Sequence, residues 1–384
     1  MSRPADPAMV TDLDRRFVQA AIRLGRRNLG ATGANPSVGA ICVAETPEGP
    51  VVVGRGVTAP GGRPHAEPQA LAEAGERARG ATLYVTLEPC SHHGKTPPCV
   101  DAIVAAGIAR VVVARDDPDP RVAGRGYARL REAGIAVARG VEAAAAWDGL
   151  AGFLTRTTRC RPEVLLKLAV SADGMIGRRG HPNFPITGPA ARARVQVMRA
   201  EVDAIAVGIG TAALDDPALT VRLEGMEHRS PMRVVFDREA RLARETRLAR
   251  TAAEVPVYVV VDTHRDDAGD RLRRLNELGV RAIGVPSDDG RLDLAAALES
   301  LAAVGTNTLM VEGGAALAES LLSEALVDRI ALFRSSVVVG EGGVAAPPSL
   351  AALADPAGGW RCVSRERCGD DLLEIWDGRA LEQT

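Results

Sequence analysis

The segment that most restricts how this chain can fold is TLEPCSHHGKTPPC, residues 86–99, which holds two cysteines, two histidines and a glutamate. The overlapping run ATLYVTL is apolar and β-branched, as is typical of a strand. After Cys99, VDAIVAAGI has apolar positions at helical spacing and ends at Gly107. Cys90 and Cys99 are therefore predicted to lie in a loop between a strand and a helix. The exposed N–H groups of a helix N-terminus favour a thiolate, and with it metal binding.

Two thiols in such a loop allow three interpretations: a redox pair, a metal site, or loop cysteines without a function. The first residues lack the apolar core of a secretory signal, and no segment approaches the roughly 18 uninterrupted apolar residues of a membrane span. We therefore expect a cytoplasmic protein. In a reducing compartment, clustered cysteines more often bind metal or do chemistry than form disulfides, and this chain has six cysteines in 384 residues.

A third metal ligand is available upstream at His65, between a Gly/Pro-rich loop and an alanine-rich helical pattern. Three protein ligands leave the fourth position of a zinc ion to water, which distinguishes a catalytic zinc site from a structural one. Glu67 is then the natural general base, because H-x-E with P-C-x-x-C is the signature of zinc deaminases. The second cysteine departs from that signature, because eight residues separate Cys90 from Cys99.

The second half of the chain alternates strand and helix patterns. Strands are predicted over DAIAVGI, MRVVFD, VPVYVVVD and NTLMVEGG, and helices over ARARVQVMRAEV and AALAESLLSEAL. Such alternation predicts a largely parallel, buried sheet with ligands at the C-terminal ends of its strands. A Thr/Arg-rich stretch that ends at Arg161-Pro162 is interpreted as a linker or domain edge, which predicts two domains.

Two glycine turns and one lysine are candidates for ligand binding in this half. The segment 208–213, GIGTAA, fits a dinucleotide fingerprint, but the following LDDPALT would stop a helix almost at once, so a plain turn near a ligand is the better interpretation. VEGGAALAESLL is the better phosphate-binding candidate, although it is also compatible with a tight strand-to-helix turn. Lys167 interrupts an apolar run, and either reaches solvent or faces a cleft.

The motifs NPSVGA, PHAEPQAL, TLEPCSHHGKTPPC and DPDPRVAGRG occur in the order found in the RibD family, which comprises bifunctional enzymes of riboflavin biosynthesis. The resemblance implies a cytidine-deaminase-like layered α/β domain over residues 10–152. In it, His65, Cys90 and Cys99 would hold zinc and Glu67 would move protons. Asn35 would contact the substrate, although NPSVGA alone is also compatible with a turn into a strand. His92 and His93 are weaker ligand candidates, expected at the loop mouth or in solvent.

The motifs LKLAVSADG, ITGPAAR, TAALDDPALTVR and VEGGAALA resemble the reductase half of the same family. This implies a dihydrofolate-reductase-like α/β domain over residues 162–380, with Lys167 as a catalytic residue close to the reacting centre. The positions that match the family's substrate contacts are Asn183, Arg199, Leu219, Arg222 and Glu312. Those that match its cofactor contacts are Ala169, Pro185, Thr211, Asp215, Arg238, Gly314, Ala315, Ala316, Leu317, Ala318, Glu319 and Ser320.

This chain departs from the family pattern at one segment of the reductase half. Many relatives have Ser-x-Trp before the ITG motif, where this chain has Asn183-Phe184-Pro185. The serine would contact substrate and the tryptophan the cofactor, so both contacts are in question here. Arg238 is compatible either with a contact to the 2′-phosphate of NADP or with a solvated turn.

The resemblance implies two reactions on a phosphorylated pyrimidine: zinc-dependent hydrolytic deamination, then reduction of the ribosyl chain to ribityl with NADPH. The rival interpretation is a nucleic-acid or nucleoside deaminase with an accessory domain. A formal net charge of −2 and an aromatic content of 3% count against nucleic-acid binding. A metal-binding scaffold is the non-enzymatic alternative, and it would have a closed site with four ligands. We expect one zinc per chain, no nucleic-acid or membrane partner, and a homo-oligomer.

Overall fold

The structure is a computed structural model that describes residues 9–94, 96–263 and 269–378. The chain divides into two compact units, with the division between Cys160 and Arg161. The Thr/Arg-rich stretch before this division is helical up to Arg159, and Cys160 then takes a left-handed conformation with φ of 55°. The domain edge thus follows a helix directly. No helix among the described residues is long and apolar enough to cross a membrane.

The first unit is a five-stranded mixed sheet with helices packed on it. Its strands are β1 (Gly39–Thr46), β2 (Gly49–Val57), β3 (Thr82–Leu87), β4 (Arg110–Arg115) and β5 (Ala136–Ala138), in the order β2-β1-β3-β4-β5. Its helices are α1 (Asp12–Gly25), α2 (Ala66–Ala74), α3 (Cys99–Ala105), α4 (Arg125–Glu132) and α5 (Ala143–Arg159). The β1 strand is antiparallel to both neighbours, whereas β3, β4 and β5 are parallel. The strand predicted before the cysteine loop is β3, and the helix predicted after it is α3.

The α2 helix lies unusually close to the sheet, because two glycines of β2 face it. A Cβ atom built on Gly54 would lie 2.0 Å from the carbonyl oxygen of Ala70, and one built on Gly56 would lie 1.9 Å from that of Ala66. Any larger side chain at either position would therefore push the helix away. This close approach fixes the N-terminal end of α2, where His65 and Glu67 lie.

The second unit is built on a nine-stranded sheet in the order β11-β10-β9-β8-β14-β6-β15-β18-β17. These strands are β6 (Glu163–Val170), β8 (Ala204–Gly208), β9 (Met232–Phe236), β10 (Val257–Asp262), β11 (Arg281–Val285), β14 (Thr308–Glu312), β15 (Arg329–Arg334), β17 (Arg361–Cys368) and β18 (Asp371–Asp377). Two small hairpins add β7 (Met175–Arg178) with β16 (Gly343–Ala345), and β12 (Ser287–Asp288) with β13 (Arg291–Leu292). The helices are α6 (Pro189–Ala200), α7 (Ile209–Asp215), α8 (Arg247–Arg250), α9 (Gly269–Asn276), α10 (Leu294–Ala303) and α11 (Ala315–Ser323).

The seven strands from β11 to β15 are parallel, and only the C-terminal hairpin of β17 and β18 is antiparallel. Separate apolar clusters cover the two faces of this sheet: Val164 and Leu166 of β6 belong to one, while Leu165 packs against the other. The prediction of a largely parallel, buried sheet is confirmed. The register pairs Glu312, the last residue of β14, with Lys167 within β6, so two oppositely charged residues of central strands lie side by side.

Candidate functional site

The first unit gathers three metal-ligating side chains at the ends of three elements. His65 is the N-cap of α2, Cys90 follows β3, and Cys99 is the first residue of α3. The ligand atoms all lie within 4.8 Å of one another. His65 Nδ1 is 3.3 Å from Cys99 Sγ and 3.7 Å from Cys90 Sγ. Zinc bond lengths of about 2.05 Å to nitrogen and 2.3 Å to sulfur imply a tetrahedral edge of roughly 3.6 Å, so these three residues fit a zinc ion.

The electrostatics of this cluster favour a thiolate at Cys90. Its sulfur accepts hydrogen bonds from the Cys99 thiol and, at 3.3 Å, from the Cys99 backbone N–H. These bonds and the neighbouring His65 outweigh burial and lower the pKa of Cys90. The hydrogen bond between the two cysteines raises the pKa of the Cys99 thiol, and a separate hydrogen bond between His65 and Cys90 raises the pKa of His65. A thiolate beside an imidazole nitrogen is a donor set suited to zinc.

Glu67 lies in the first turn of α2, two residues after His65, and only 4% of its surface is exposed. Burial raises the pKa of its carboxyl, and the negative charge of Cys90 raises it further. A carboxyl with a raised pKa beside a metal site is suited to accept and return a proton near neutral pH.

The other polar residues of the cysteine loop lie outside the three-ligand cluster. His92 is half-buried, its Nδ1 has no hydrogen-bond partner among the described atoms, and His93 is exposed. Asn35 is half-buried, and its side chain lies against Gly62, where an added Cβ would be 2.1 Å from Asn35 Nδ2. The roles predicted for these residues stay predictions.

Sequence reasoning assigned no role to Glu88, which the structure shows to be an internal clamp. Its buried carboxylate accepts hydrogen bonds from the backbone N–H groups of Gly124 and Gly126, each at 3.1 Å. It thereby ties the DPDPRVAGRG segment to the strand that precedes Cys90. The position of a glutamate directly after a buried strand could have indicated a structural role for Glu88. Its partners could not be predicted, because they are more than thirty residues away in sequence.

The second unit has a cavity of about 540 Å³ at the C-terminal ends of β6 and β14. Seven residues predicted as catalytic, substrate or cofactor positions line it: Lys167, Ala169, Asn183, Pro185, Arg199, Arg222 and Glu312. Phe184, Arg192 and Gln196 line the same cavity, and sequence reasoning assigned none of them a role. The charged groups of the lining are four cations and a single carboxylate.

A buried ion pair crosses this cavity's wall. Arg199 donates from Nε to Glu312 Oε1 at 2.7 Å and from Nη2 to Glu312 Oε2 at 2.9 Å, and its Nη1 donates to the Thr220 carbonyl at 3.1 Å. Burial opposes ionisation of Glu312, but Arg199, followed by Lys167, outweighs it and holds the pKa of that carboxyl below its usual value. Burial lowers the pKa of Lys167, whose ammonium lies 5.7 Å from the ring centre of Phe333.

The predicted cofactor positions Thr211 and Asp215 lie on α7, so the segment 208–213 leads into a short helix and not the plain turn that was expected; the helix ends before Asp216. A Cβ built on Gly314 would lie 3.1 Å from Thr211 Oγ1, so α7 and the glycine turn are adjacent. Asn183 donates from its backbone N–H to Asp215 Oδ1 at 2.8 Å and from Nδ2 to the Asp215 carbonyl at 3.1 Å. Two positions predicted to bind different ligands thus bind each other.

A second cavity, of about 290 Å³, lies beside α11 and the Gly208–Gly210 turn. Arg238 lines it together with Arg241 and Arg291, and its Nη2 also donates to Glu239 at 2.6 Å. Of the predicted cofactor run on α11, Ala316, Leu317 and Ser320 face this cavity.

Three other predicted positions point elsewhere. Ala318 is fully buried in the core, and Glu319 accepts hydrogen bonds from the backbone N–H and hydroxyl of Ser349. The side chain of Leu219 is packed in the core at 2% exposure. A ligand contact of Leu219 would therefore involve its backbone.

Two family models match the chain, one on each unit. Residues 11–115 match the zinc-binding region of cytidine and deoxycytidylate deaminases, and residues 162–373 match the RibD C-terminal domain. Both matches agree with the fold predicted from the sequence.

The chain is also similar to complete riboflavin biosynthesis proteins. It is 38% identical to RibD of Escherichia coli over 355 residues, which is 89% of this chain and 93% of the relative. It is 38% identical to RibD of Aquifex aeolicus over 334 residues, or 87% and 90% of the two chains.

Solved structures show the same likeness. Acinetobacter baumannii RibD superposes with a TM-score of 0.82 at 34% identity, covering 95% of this chain and 98% of that one. A Thermotoga maritima diaminohydroxyphosphoribosylaminopyrimidine deaminase/5-amino-6-(5-phosphoribosylamino)uracil reductase superposes with a TM-score of 0.80 at 30% identity and the same coverage.

Replacing Glu312 with glutamine removes the charge that balances Arg199. A buried arginine left without its carboxylate costs about 3–5 kcal/mol, so E312Q is expected to lower the free energy of unfolding by that order at neutral pH. Because the pKa of Glu312 is held below its usual value of 4.5, its contribution is present above that pH and is lost as the pH falls through the folded-state pKa. The difference between wild type and E312Q should therefore shrink below pH 4.5.

Urea unfolding at neutral pH and at acid pH measures this difference. E366Q is the matched control, because Glu366 pairs with Arg194 at the surface and such a pair contributes about 0–1 kcal/mol. Equal losses in E312Q and E366Q at neutral pH would contradict the prediction.

Proposed function

The chain belongs to the RibD family of bifunctional riboflavin biosynthesis enzymes, and from that premise we propose the substrate and the residue roles of its deaminase and reductase halves. The first half hydrolytically deaminates 2,5-diamino-6-(5-phosphoribosylamino)pyrimidin-4(3H)-one. The second half then reduces the ribosyl chain with NADPH, giving 5-amino-6-(5-phosphoribitylamino)uracil. The observation that carries the proposal is the three-ligand cluster beside a buried glutamate, in one chain with a cation-lined cavity.

One zinc ion per chain is held by His65, Cys90 and Cys99. Their spacing, close to the edge of a zinc tetrahedron, and the thiolate favoured at Cys90 support this assignment. Three protein ligands leave a coordination position open, which argues against the metal-binding scaffold. The bound ion would supply Lewis acidity and lower the pKa of a water molecule for attack on the ring carbon that bears the amine.

Glu67 moves the protons of the deamination. Its carboxylate takes a proton from the attacking water and delivers it to the leaving nitrogen, so that ammonia departs. The burial that raises the pKa of Glu67 suits this exchange, because efficient proton transfer needs a pKa near the working pH. Asn35, half-buried at the start of the NPSVGA segment, would orient the pyrimidine.

The reductase half uses charge and position. Lys167 lies at the reacting centre, where its ammonium faces the ribosyl carbon that is reduced, while NADPH supplies the hydride. The glycine turn before α11 lets backbone N–H groups approach the cofactor's phosphates. The second cavity has three arginines, Arg238, Arg241 and Arg291, against the two carboxylates Glu239 and Glu324, and this net positive charge supports a 2′-phosphate and so NADPH as the cofactor.

Replacing Cys99 with alanine should abolish or strongly weaken zinc binding, because two remaining ligands do not complete a zinc site. The matched control is H92A, since His92 lies outside the cluster. Metal analysis of purified protein checks both variants. Full zinc retention in C99A, with the loss seen instead in H92A, would overturn the ligand assignment.

Replacing Glu67 with glutamine should leave zinc bound and abolish ammonia release, because an amide cannot accept and return the proton. Reduction should survive when the deaminated substrate is supplied. Ammonia release and NADPH oxidation are measured separately on the same preparation. Loss of both activities in a folded, zinc-loaded E67Q protein would contradict a model with two separate sites.

Substitutions at Lys167 and Gly314 should affect different properties of the reductase half, the rate of reduction in one case and the affinity for NADPH in the other. K167A is expected to cut reduction severely and leave NADPH affinity nearly unchanged. G314V is expected to do the reverse, because a side chain there meets Thr211 and must adopt a φ of +76°. Titration with NADPH measures the cofactor affinity of each variant, and NADPH oxidation with deaminated substrate measures its reductase activity. Wild-type protein that neither binds nor oxidises NADPH would remove the reductase assignment.

A further inference from the structure

The substrate cavity of the second unit holds more positive charge than its single carboxylate can balance. Arg199 is already satisfied, because Glu312 occupies two of its donors and the Thr220 carbonyl a third. Only 8% of its surface is exposed. A phosphate could accept two hydrogen bonds from this guanidinium only by displacing Glu312. Arg199 is therefore a positioning residue, and the group that binds a phosphate has to be sought among the other cations.

Arg192 and Arg222 are the cations of this cavity that face solvent. Neither forms an ion pair with a carboxylate within the part of the chain that the structure describes. Arg192 Nη1 donates a hydrogen bond to the Thr187 carbonyl at 2.7 Å, which fixes the side chain. The other N–H groups of this guanidinium remain available to a ligand. Two exposed, uncompensated guanidinium groups at one cavity match a phosphate of charge about −1.5 to −2.

The α6 helix brings these groups to one place. Arg192, Gln196 and Arg199 are spaced at i, i+4 and i+7, so they share the face that lines the cavity. Gln196 Oε1 accepts a hydrogen bond from the Arg222 backbone N–H at 2.8 Å. That bond joins the segment of Arg222 to the same helix face, and it occupies the Gln196 carbonyl oxygen with an N–H donor.

We infer that Arg192 and Arg222 form the clamp for the substrate's phosphate, with Gln196 fixing the position of Arg222 and Arg199 holding Glu312. This inference rests on the proposed reductase function and extends it, since Arg192 belongs to none of the positions that match the family's contacts. Arg192 contributes binding that is the same in the ground state and the transition state, so its loss appears mainly in KM.

The test compares R192Q with R194Q by NADPH oxidation in the full-length protein. Arg194 lies two residues away on α6 and pairs with Glu366 instead of lining the cavity, so R194Q removes the same charge as a control. With the deaminated pyrimidine ribosyl phosphate, R192Q should raise KM between about tenfold and a hundredfold, the range for a lost hydrogen bond to a charged group. R194Q should change it less than about threefold.

The second arm uses the same pyrimidine without its phosphate. Wild type and R192Q should then have equal kcat/KM, because the group that Arg192 binds is absent. R192Q that resembles R194Q with the phosphorylated substrate would overturn the inference, as would a loss that is equal with both substrates, which indicates a structural role. Wild-type protein without NADPH oxidation on the phosphorylated substrate would overturn the proposed function itself, and the inference with it.

Discussion

The buried ion pair between Arg199 and Glu312 holds together the parts that form the reductase cavity. It joins α6 to the end of β14, and the third donor of Arg199 adds the Thr220 segment that leads to Arg222. A buried pair of this kind gains little stability over apolar residues, but it is costly to break on one side only. It therefore specifies geometry: Glu312, at the end of β14, is fixed next to its register partner Lys167 on the neighbouring strand β6.

Buried carboxylates have a different task in each half. In the first unit Glu88 binds backbone N–H groups and so fixes a loop, while Glu67, also buried, lies beside His65 and Cys90 and has its pKa raised. In the second unit the neighbouring cations keep Glu312 ionised. The difference follows from the nearest charges: thiolate character next to Glu67 disfavours its negative form, and two cations next to Glu312 favour it.

The sequence was sufficient for the strands β3, β8, β9, β10 and β14, for the helix α3 after the cysteine loop, and for the three side chains, His65, Cys90 and Cys99, that lie together. Those predictions worked because apolar periodicity and ligand spacing are local properties. Partnerships between distant side chains were not predictable. Spacing alone could not reveal that Glu319 turns to Ser349, that Leu219 enters the core, or that Arg192 faces the cavity, because each depends on how a helix or loop is rotated against the sheet.

The departure at Asn183 to Pro185 has a physical explanation in the loop itself. Asn183 has a φ of 53°, a conformation that asparagine adopts more readily than most residues, and its backbone N–H and Nδ2 each donate one hydrogen bond to Asp215. The loop is thereby fastened to α7, whose Thr211 lies against the glycine turn before α11. Nδ2 of Asn183 carries a second hydrogen beside the one bound to Asp215, so its side chain keeps one donor and its Oδ1 acceptor toward a substrate. Phe184, the aromatic side chain in the cavity lining, then offers the flat apolar surface that Pro185 does not.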